Sequence, residues 1–351
     1  MHRVVHVVGT GTIGEPLIGL LVDHREVFGI DEVTFHKRTP KVEERAKVAD
    51  LVRRGAVLAV DEERAADFVA LGLEPSLDGG EALSRAAVVI DSTPAGNENK
   101  ERVYAALEGP LGFMAQGSEY GFGKMYARGI NDEALVPGED RYLHVVSCNT
   151  HNISVLVRAI AFEGATSHLV DGRFVCMRRA NDISQDGSFA PSPTVGRHDD
   201  ARFGTHHARD AHGVFSTLGH DLPLWSSAIV LNTQYMHVLH FSLTLDHDVT
   251  AEEVVARLAA NPRVALTRKR SANQVFSFGR DHGYFGRILS QTVVPTQTIG
   301  VRDGRTVVGF CFTPQDGNAL LSSVAATLWY LYPEGFEERI DALRPYLFRE
   351  V

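Results

Sequence analysis

Residues 4–14 read Val4-Val5-His6-Val7-Val8-Gly9-Thr10-Gly11-Thr12-Ile13-Gly14. The β-branched run favours a strand. The glycines that follow form a GxGxxG, and Ile13 to Leu21 then reads as a helix. A glycine loop between a strand and a helix is the context that gives this pattern meaning. The first glycine allows a tight turn, the second lets backbone N–H groups approach a pyrophosphate, and the third lets the helix pack close. The helix N-terminus then holds the anion. Residues Gly9, Gly11, Thr12, Ile13 and Gly14 are therefore the candidate dinucleotide contacts.

The same alternation runs outward through the first half of the chain. Strands are predicted over Asp31–His36, Ala56–Val60, Ala87–Asp91, Gly112–Ala115 and Tyr142–Val146. Helices are predicted over Pro40–Arg54, Glu62–Leu71 and Asn99–Leu107. Strands alternating with helices imply a parallel sheet with right-handed crossovers. In the second half, long strand patterns dominate: Arg173–Arg179, Ala228–Asn232, His237–Leu245, Arg263–Thr267, Ile288–Val294 and Arg305–Phe312. Thr250–Ala260 reads as a helix with an N-cap threonine and an acidic first turn. Asn181–Asp221 is polar and aperiodic and reads as a long functional loop. Gly317–Leu331 is helical again and is expected to return to the first domain. The prediction is an α/β chain: an N-terminal Rossmann dinucleotide-binding domain (1–147 plus 318–351) and a C-terminal α+β catalytic domain (148–317) with a mostly antiparallel sheet.

Composition agrees with two domains. The chain has 351 residues, 44% hydrophobic and 23% charged, and a domain takes about 150 residues. A net charge of −9 argues against a nucleic-acid backbone binder. No apolar run approaches the ~20 residues that span a bilayer. Met1-His2-Arg3 leads straight into a strand without signal-peptide anatomy, so a cytoplasmic location without membrane partners is expected. Three cysteines at wide spacing make no disulfide framework.

The end of the second strand bears on cofactor choice. An NAD site expects an acidic residue there, yet Asp31 and Glu32 stand at the start of the strand. Its end carries His36-Lys37-Arg38-Thr39. Lys37 and Arg38 suit a 2′-phosphate, so NADP is preferred over NAD.

Cys148 follows a strand and precedes the helix-like run Ile153–Ile160. A thiol at a helix start has a lowered pKa, and a thiolate can attack an aldehyde carbon. Cys176 and Cys311 fall inside strands and read as core residues. No HExxH or Cys/His ligand spacing is present, and no metal is expected. His237 reads as an interior or interface histidine.

These residues carry a resemblance. Ser147-Cys148-Asn149-Thr150, downstream of Gly-x-Gly-Thr-Ile-Gly, resembles glyceraldehyde-3-phosphate dehydrogenase, in its archaeal (type II) branch. Asp91-Ser92-Thr93-Pro94-Ala95-Gly96 resembles that branch's Asp-Ala-Thr-Pro-Glu-Gly. Gln116-Gly117-Ser118-Glu119 resembles Gln-Gly-Gly-Glu, and Arg178-Arg179-Ala180-Asn181-Asp182 resembles Arg-Arg-Ala-Ala-Asp-Pro. His206-His207 with Asp210 resembles His-His-Gly-Pro-Asp, and Met236-His237-Val238 resembles Met-His-Val. The match runs in order to about Arg263. Three departures stand near the expected phosphate and cofactor sites: His151 in place of a second threonine, Ala208-Arg209 in place of Gly-Pro, and the ending Thr313-Pro314-Gln315-Asp316-Gly317.

The resemblance implies a cytoplasmic homotetramer that acts on a phosphorylated aldehyde with inorganic phosphate. Cys148 would form a thiohemiacetal and then a thioester, and phosphorolysis would give an acyl phosphate. His207, or His206, would be the base. Thr93, Pro94, Gly96, Gln116 and Gly117 would join the cofactor site, and Lys37 matches the branch's lysine associated with NADP. Asn149, Thr150, His151, Arg178, Arg179 and Arg209 would hold substrate or phosphate; arginine suits this because its planar fork binds phosphate bidentately. Two alternatives stay open: a related semialdehyde or acyl-phosphate reductase, and a non-catalytic NAD(P)-binding sensor or scaffold.

Overall fold

The computed structural model describes residues 2–181, 190–289, 292–314 and 316–351. They divide into two compact units. One is Met1–Lys124 with Leu135–Val145 and Leu320–Arg344; the other is Met125–Ala134 with Val146–Ala319 and Pro345–Val351. Among the described residues no helix is long and apolar enough to cross a membrane.

The first unit is built on a sheet of β1 (Val4–Val8), β2 (Glu32–His36), β3 (Val57–Val60), β4 (Leu77–Asp78), β5 (Val88–Asp91), β6 (Gly112–Gly117), β7 (Lys124–Tyr126) and β8 (Tyr142–Val146). The spatial order is β4-β3-β2-β1-β5-β6-β8-β7. β1 lies parallel to both β2 and β5, and parallel pairing extends to β3, β4 and β6. The order reverses at β1, and such a switch point opens a ligand crevice at the carboxyl ends of the strands. β1 is covered on both faces, which explains its near-continuous valines. The helices are α1 (Gly14–Asp23), α2 (Arg25–Phe28), α3 (Arg45–Arg54), α4 (Ala65–Ala70), α5 (Gly79–Arg85) and α6 (Gly96–Arg102). α5 had no periodic signature; the side chain of Asp78 caps it by accepting from Gly80 N and Glu81 N.

The second unit begins with α7 (Cys148–Ala161) and the hairpin β9 (Phe162–Glu163) and β10 (Thr166–Ser167). Its main sheet holds β11 (Leu169–Arg178), β12 (Thr194–Val195), β13 (Leu224–Val230), β14 (His237–Leu245), β15 (Val264–Thr267), β16 (Thr292–Pro295), β17 (Gly300–Arg302) and β18 (Thr306–Thr313). The order is β12-β13-β11-β14-β18-β16-β15, with β17 on β18. Most neighbours are antiparallel; β11–β13 and β15–β16 are parallel, so the sheet is mixed. α8 (His206–Ser216), α9 (Ala251–Ala260) and α10 (Ala272–His282) complete the unit. Thr250 and Glu253 close a capping box on α9.

Several sequence readings need correction. Asn181–Asp221 is no continuous loop, because it contains α8 and β12. Ala208, Ala211, Val214 and Phe215 form the buried stripe of α8, and two alanines among histidines make a weak apolar signal. The helix read from Ile153 begins at Cys148, and the ladder read over Ile288–Val294 runs over Thr292–Pro295. Asp182 and Gln315 lie outside the described residues.

The last helices are α11 (Gly317–Leu331) and α12 (Phe336–Ile340). From Leu320 onward α11 packs inside the first unit. The hydroxyl of Tyr330 donates to Phe113 O at 3.3 Å and Arg141 O at 3.2 Å. Gly112 makes room for that ring: a Cβ there would lie 2.0 Å from it.

Candidate functional site

In the first unit, the glycine loop has the geometry that its three glycines require. Gly9 has φ 93°, a left-handed conformation open to glycine without strain. Its N–H donates to His36 O at 3.1 Å, which ties the loop to the end of β2. A Cβ on Gly14 would stand 2.2 Å from Gly9 O, so helix and loop meet only through a glycine. At Gly11 a Cβ would meet nothing within 4 Å, so here the chain leaves space. Ile13 is the N-cap of α1 and its side chain makes no cap bond; the N–H groups of a helix's first turn suit an anion.

Gly9 and Thr10 of the loop border a cavity of about 580 Å³, lined also by Lys37, Arg38, Thr93 and Pro94. Lys37 Nζ donates to Glu44 Oε2. Lys47 Nζ donates to Glu44 Oε1 at 3.0 Å and to Thr10 O at 2.9 Å. Burial pushes the Glu44 carboxyl up, but the two lysines outweigh it and hold it below the usual range. The Thr93 turn is fixed by buried Asp91, which accepts from Thr93 N (2.9 Å), Thr93 Oγ1 (2.6 Å), Asn99 Nδ2 (2.7 Å) and Tyr104 OH (2.7 Å). Gly96 abuts Ala115, where a Cβ would meet Ala115 Cβ at 2.8 Å. Gln116 Nε2 donates to Ser323 Oγ at 2.6 Å, and His144 Nε2 lies 2.8 Å from Gly117 O.

In the second unit, Cys148 is the first residue of α7, and Ser147 is its N-cap, accepting from Thr150 N. The Ser147 and Thr150 hydroxyls are 2.9 Å apart. Cys148 is partly exposed, whereas Cys176 and Cys311 are buried. Burial raises the Cys311 thiol to about 12, against hydrogen bonds from Thr292 and Asn152. Burial raises Cys176 further, with Cys311 and Cys148 as electrostatic neighbours. Of the three, only Cys148 combines exposure with a helix N-terminus.

The sheet beneath α7 arranges the rest. Cys176, Leu239 and Cys311 are opposite one another across β11, β14 and β18. Two residues further along, on the same face, stand Arg178, His237 and Thr313; His237 is opposite Thr313. Asn152 Nδ2 donates to Thr313 Oγ1 at 2.6 Å, and Thr313 Oγ1 lies 3.4 Å from Asn149 Oδ1. Asn318 Nδ2 donates to Cys148 O at 3.0 Å. The capped start of α7 is thus bound to the row that holds His237 and Arg178.

Arg179 N donates to His237 Nδ1 at 2.9 Å. Burial, then Arg179 and Arg178, hold the His237 imidazole well below its ordinary pKa. A neutral ring that accepts at Nδ1 carries its proton on Nε2. His206 and His207 open α8, their ring centroids 3.9 Å apart. His207 is buried, and neither ring nitrogen has a hydrogen-bond partner among the described residues. Burial, then His206, Arg178 and His237, depress it well below the ordinary histidine pKa. Burial also lowers His206, with Asp210 opposing.

The remaining predicted residues sort differently. Asn149, Thr150 and His151 are 2% exposed or less and face inward; His151 Nδ1 lies 3.0 Å from Ser147 O. Arg209 makes two contacts, at 2.9 and 2.8 Å, to buried Asp210. Arg178 is exposed at the end of β11.

Similarity to known proteins follows the same line. The glyceraldehyde-3-phosphate dehydrogenase of Hyperthermus butylicus is 28% identical over 308 residues, 86% of this chain and 84% of its own length. Those of Pyrococcus furiosus (28% over 309 residues) and Metallosphaera sedula (26% over 310) each cover 85% of this chain and 84% of their own. Over most of its length the chain is similar to glyceraldehyde-3-phosphate dehydrogenases of the archaeal type. No protein-family model matches it.

For a glyceraldehyde-3-phosphate dehydrogenase-like chain, sequence reading left His237 out of the site. Its alternation in β14, with residues alternately buried and half-buried, is the pattern of any half-covered strand. The informative signal was Met236-His237-Val238 itself, whose register against Thr313 only the sheet supplies.

Proposed function

We propose that this chain is an NADP-preferring, phosphorylating aldehyde dehydrogenase that acts on glyceraldehyde 3-phosphate through a thiohemiacetal and a thioester on Cys148. The observation that carries the reading is Cys148 itself: partly exposed, at the capped start of α7, and linked through Asn149 and Thr313 to the row of His237 and Arg178.

The Cys148 thiolate attacks the aldehyde carbon, a C–S bond forms, and the carbonyl oxygen gains negative charge. The Nε2–H of His237 is the donor for that oxygen. The proton that the Cys148 thiol gives up is returned to that oxygen to make the thiohemiacetal hydroxyl, and His207, whose ring nitrogens have no hydrogen-bond partner among the described residues, takes it as hydride leaves the carbon; His206 is the second candidate. NADP, when bound, supplies the hydride acceptor. An oxygen of inorganic phosphate then attacks the thioester, the C–S bond breaks, the thiolate returns and the acyl phosphate leaves. Arg178 and Arg179 hold phosphate oxygens.

The residues of the first unit fit a dinucleotide. Support for a pyrophosphate and its flanking groups comes from the open space at Gly11, the Gly9 turn and the cavity that Gly9 borders. Lys37 and Arg38 supply charge for a 2′-phosphate, and the Asp91-fixed turn presents Thr93, Pro94 and Gly96. Gln116 and Gly117 complete this set. Self-association as a homotetramer is supported by apolar groups on the outer sheet face, where Val175 and Phe310 are each 38% exposed.

The commitment of Arg209 to Asp210 favours a second reading, a reductase of a different semialdehyde or acyl phosphate. Assaying a panel of aldehydes with and without inorganic phosphate separates the two. Cys148→Ala tests both: full NADP-dependent aldehyde oxidation by that variant overturns the thioester route.

A further inference from the structure

His168, Asp246 and His247 stand together at one end of the second unit's sheet. His168 immediately precedes β11, and Asp246-His247 immediately follow β14. Leu169 is opposite Leu245 in the antiparallel ladder, and Asp246 N donates to His168 O at 3.0 Å. The ladder therefore fixes the three backbones before any ligand arrives. Nδ1 of His168 lies 3.1 Å from both Asp246 oxygens, and Nδ1 of His247 lies 2.8 Å from Oδ1. The rings meet edge to face with centroids 4.9 Å apart. Donor atoms bound at about 2 Å to one tetrahedral ion are separated by about 3.3 Å, so these spacings need little adjustment.

We propose that His168, Asp246 and His247 form a binding site for a divalent transition-metal ion of the zinc class, held by two imidazoles and one carboxylate. Glu163 Oε2 lies 4.0 Å from the opposite nitrogen, Nε2, of His168, and Arg257 holds Glu163 by a 2.7 Å bond to Oε1. At that distance Glu163 makes no hydrogen bond to His168 and adds only negative charge beside the site. Two nitrogens and one oxygen select zinc, nickel or copper over magnesium and calcium, which prefer oxygen sets. Asp246 is 52% exposed at its side chain, which leaves a coordination position open to water. The neighbouring Asp248 is engaged by Arg305 at 2.8 Å. Sequence spacing gave no sign of this site, because His168 and Asp246 are 78 residues apart. It is separate from the cysteine site: β11 runs ten residues from Leu169 to Arg178, on the order of 30 Å.

The test is titration of the full chain with Zn²⁺ after chelator dialysis, followed by calorimetry, with accessible thiols alkylated beforehand. One equivalent binds. His168→Gln and His247→Gln each lower the affinity at least about tenfold, and Mg²⁺ does not compete. Co²⁺ in place of Zn²⁺ gives visible d–d absorption without thiolate charge transfer. Thermal melts of the metal-free variants establish folding, and Asp246→Asn replaces any histidine variant that melts early. No saturable Zn²⁺ binding, equal affinity in the variants, or a thiolate charge-transfer band each overturns the proposal.

Discussion

The backbone N–H of Arg179 donates to Nδ1 of His237 at 2.9 Å, and this one bond sets the chemistry of the imidazole. With Nδ1 occupied and the ring held neutral by burial, Nε2 bears the proton and His237 is a donor. His237→Asn keeps an acceptor for Arg179 N but has no donor at the Nε2 position. The expected result is a kcat lowered about 10²-fold, the loss typical of one oxyanion donor, with KM little changed. Steady-state kinetics check this, and His237→Ala should in addition lose about 1–3 kcal/mol of stability by orphaning the Arg179 N–H.

The glycine loop makes a paired prediction. Gly14→Ala forces a Cβ to within 2.2 Å of Gly9 O and should destabilise the fold by about 2–4 kcal/mol. Gly11→Ala meets no atom within 4 Å, so its melting temperature should stay near that of the parent while dinucleotide affinity falls. Chemical denaturation and cofactor titration of both variants read the two effects separately.

Lys37 is engaged by Glu44, which also takes Lys47. Lys37→Ala should raise KM for NADP about tenfold, the value of one charge-assisted contact. KM for NAD should change far less. Equal changes for both cofactors would remove Lys37 from 2′-phosphate recognition.

Acid stability follows from the buried histidines. Burial, with His36 adding to it, depresses His6 to about 3, and His207 and His237 are depressed in the same direction. Below the unfolded value of about 6.5, the unfolded chain takes up protons that the folded chain refuses. Stability is therefore fully present above about pH 6.5 and falls as the pH drops toward the folded values, by up to ~1.4 kcal/mol per pH unit for each histidine. His6→Val should flatten this slope in urea melts by about half a proton at pH 6.5, rising to about one proton at pH 5.

The fold was largely legible because β1, the glycine loop and α1 obey local rules: β-branched residues, a left-handed Gly9, a close-packed Gly14. α9 was legible through Thr250 and its acidic first turn. α8 was not, because its buried stripe rests on Ala208 and Ala211 among polar neighbours. α5 is short and depends on the Asp78 cap. In the candidate site, Cys148 announced itself by position, whereas the row of Arg178, His237 and Thr313 is assembled by strand register between residues far apart in sequence. The same holds for His168 with Asp246. Patterns within one element are visible locally; a side chain's partner across a sheet is not.

The proposed reaction turns on transfer of the substrate to Cys148 as a thioester. The deciding measurement is mass spectrometry of the intact chain mixed with NADP and glyceraldehyde 3-phosphate, without inorganic phosphate. One acyl adduct is expected on the peptide containing Cys148, absent in Cys148→Ser and discharged when phosphate is added. Turnover with no adduct on Cys148, or an adduct that survives Cys148→Ser, would contradict it.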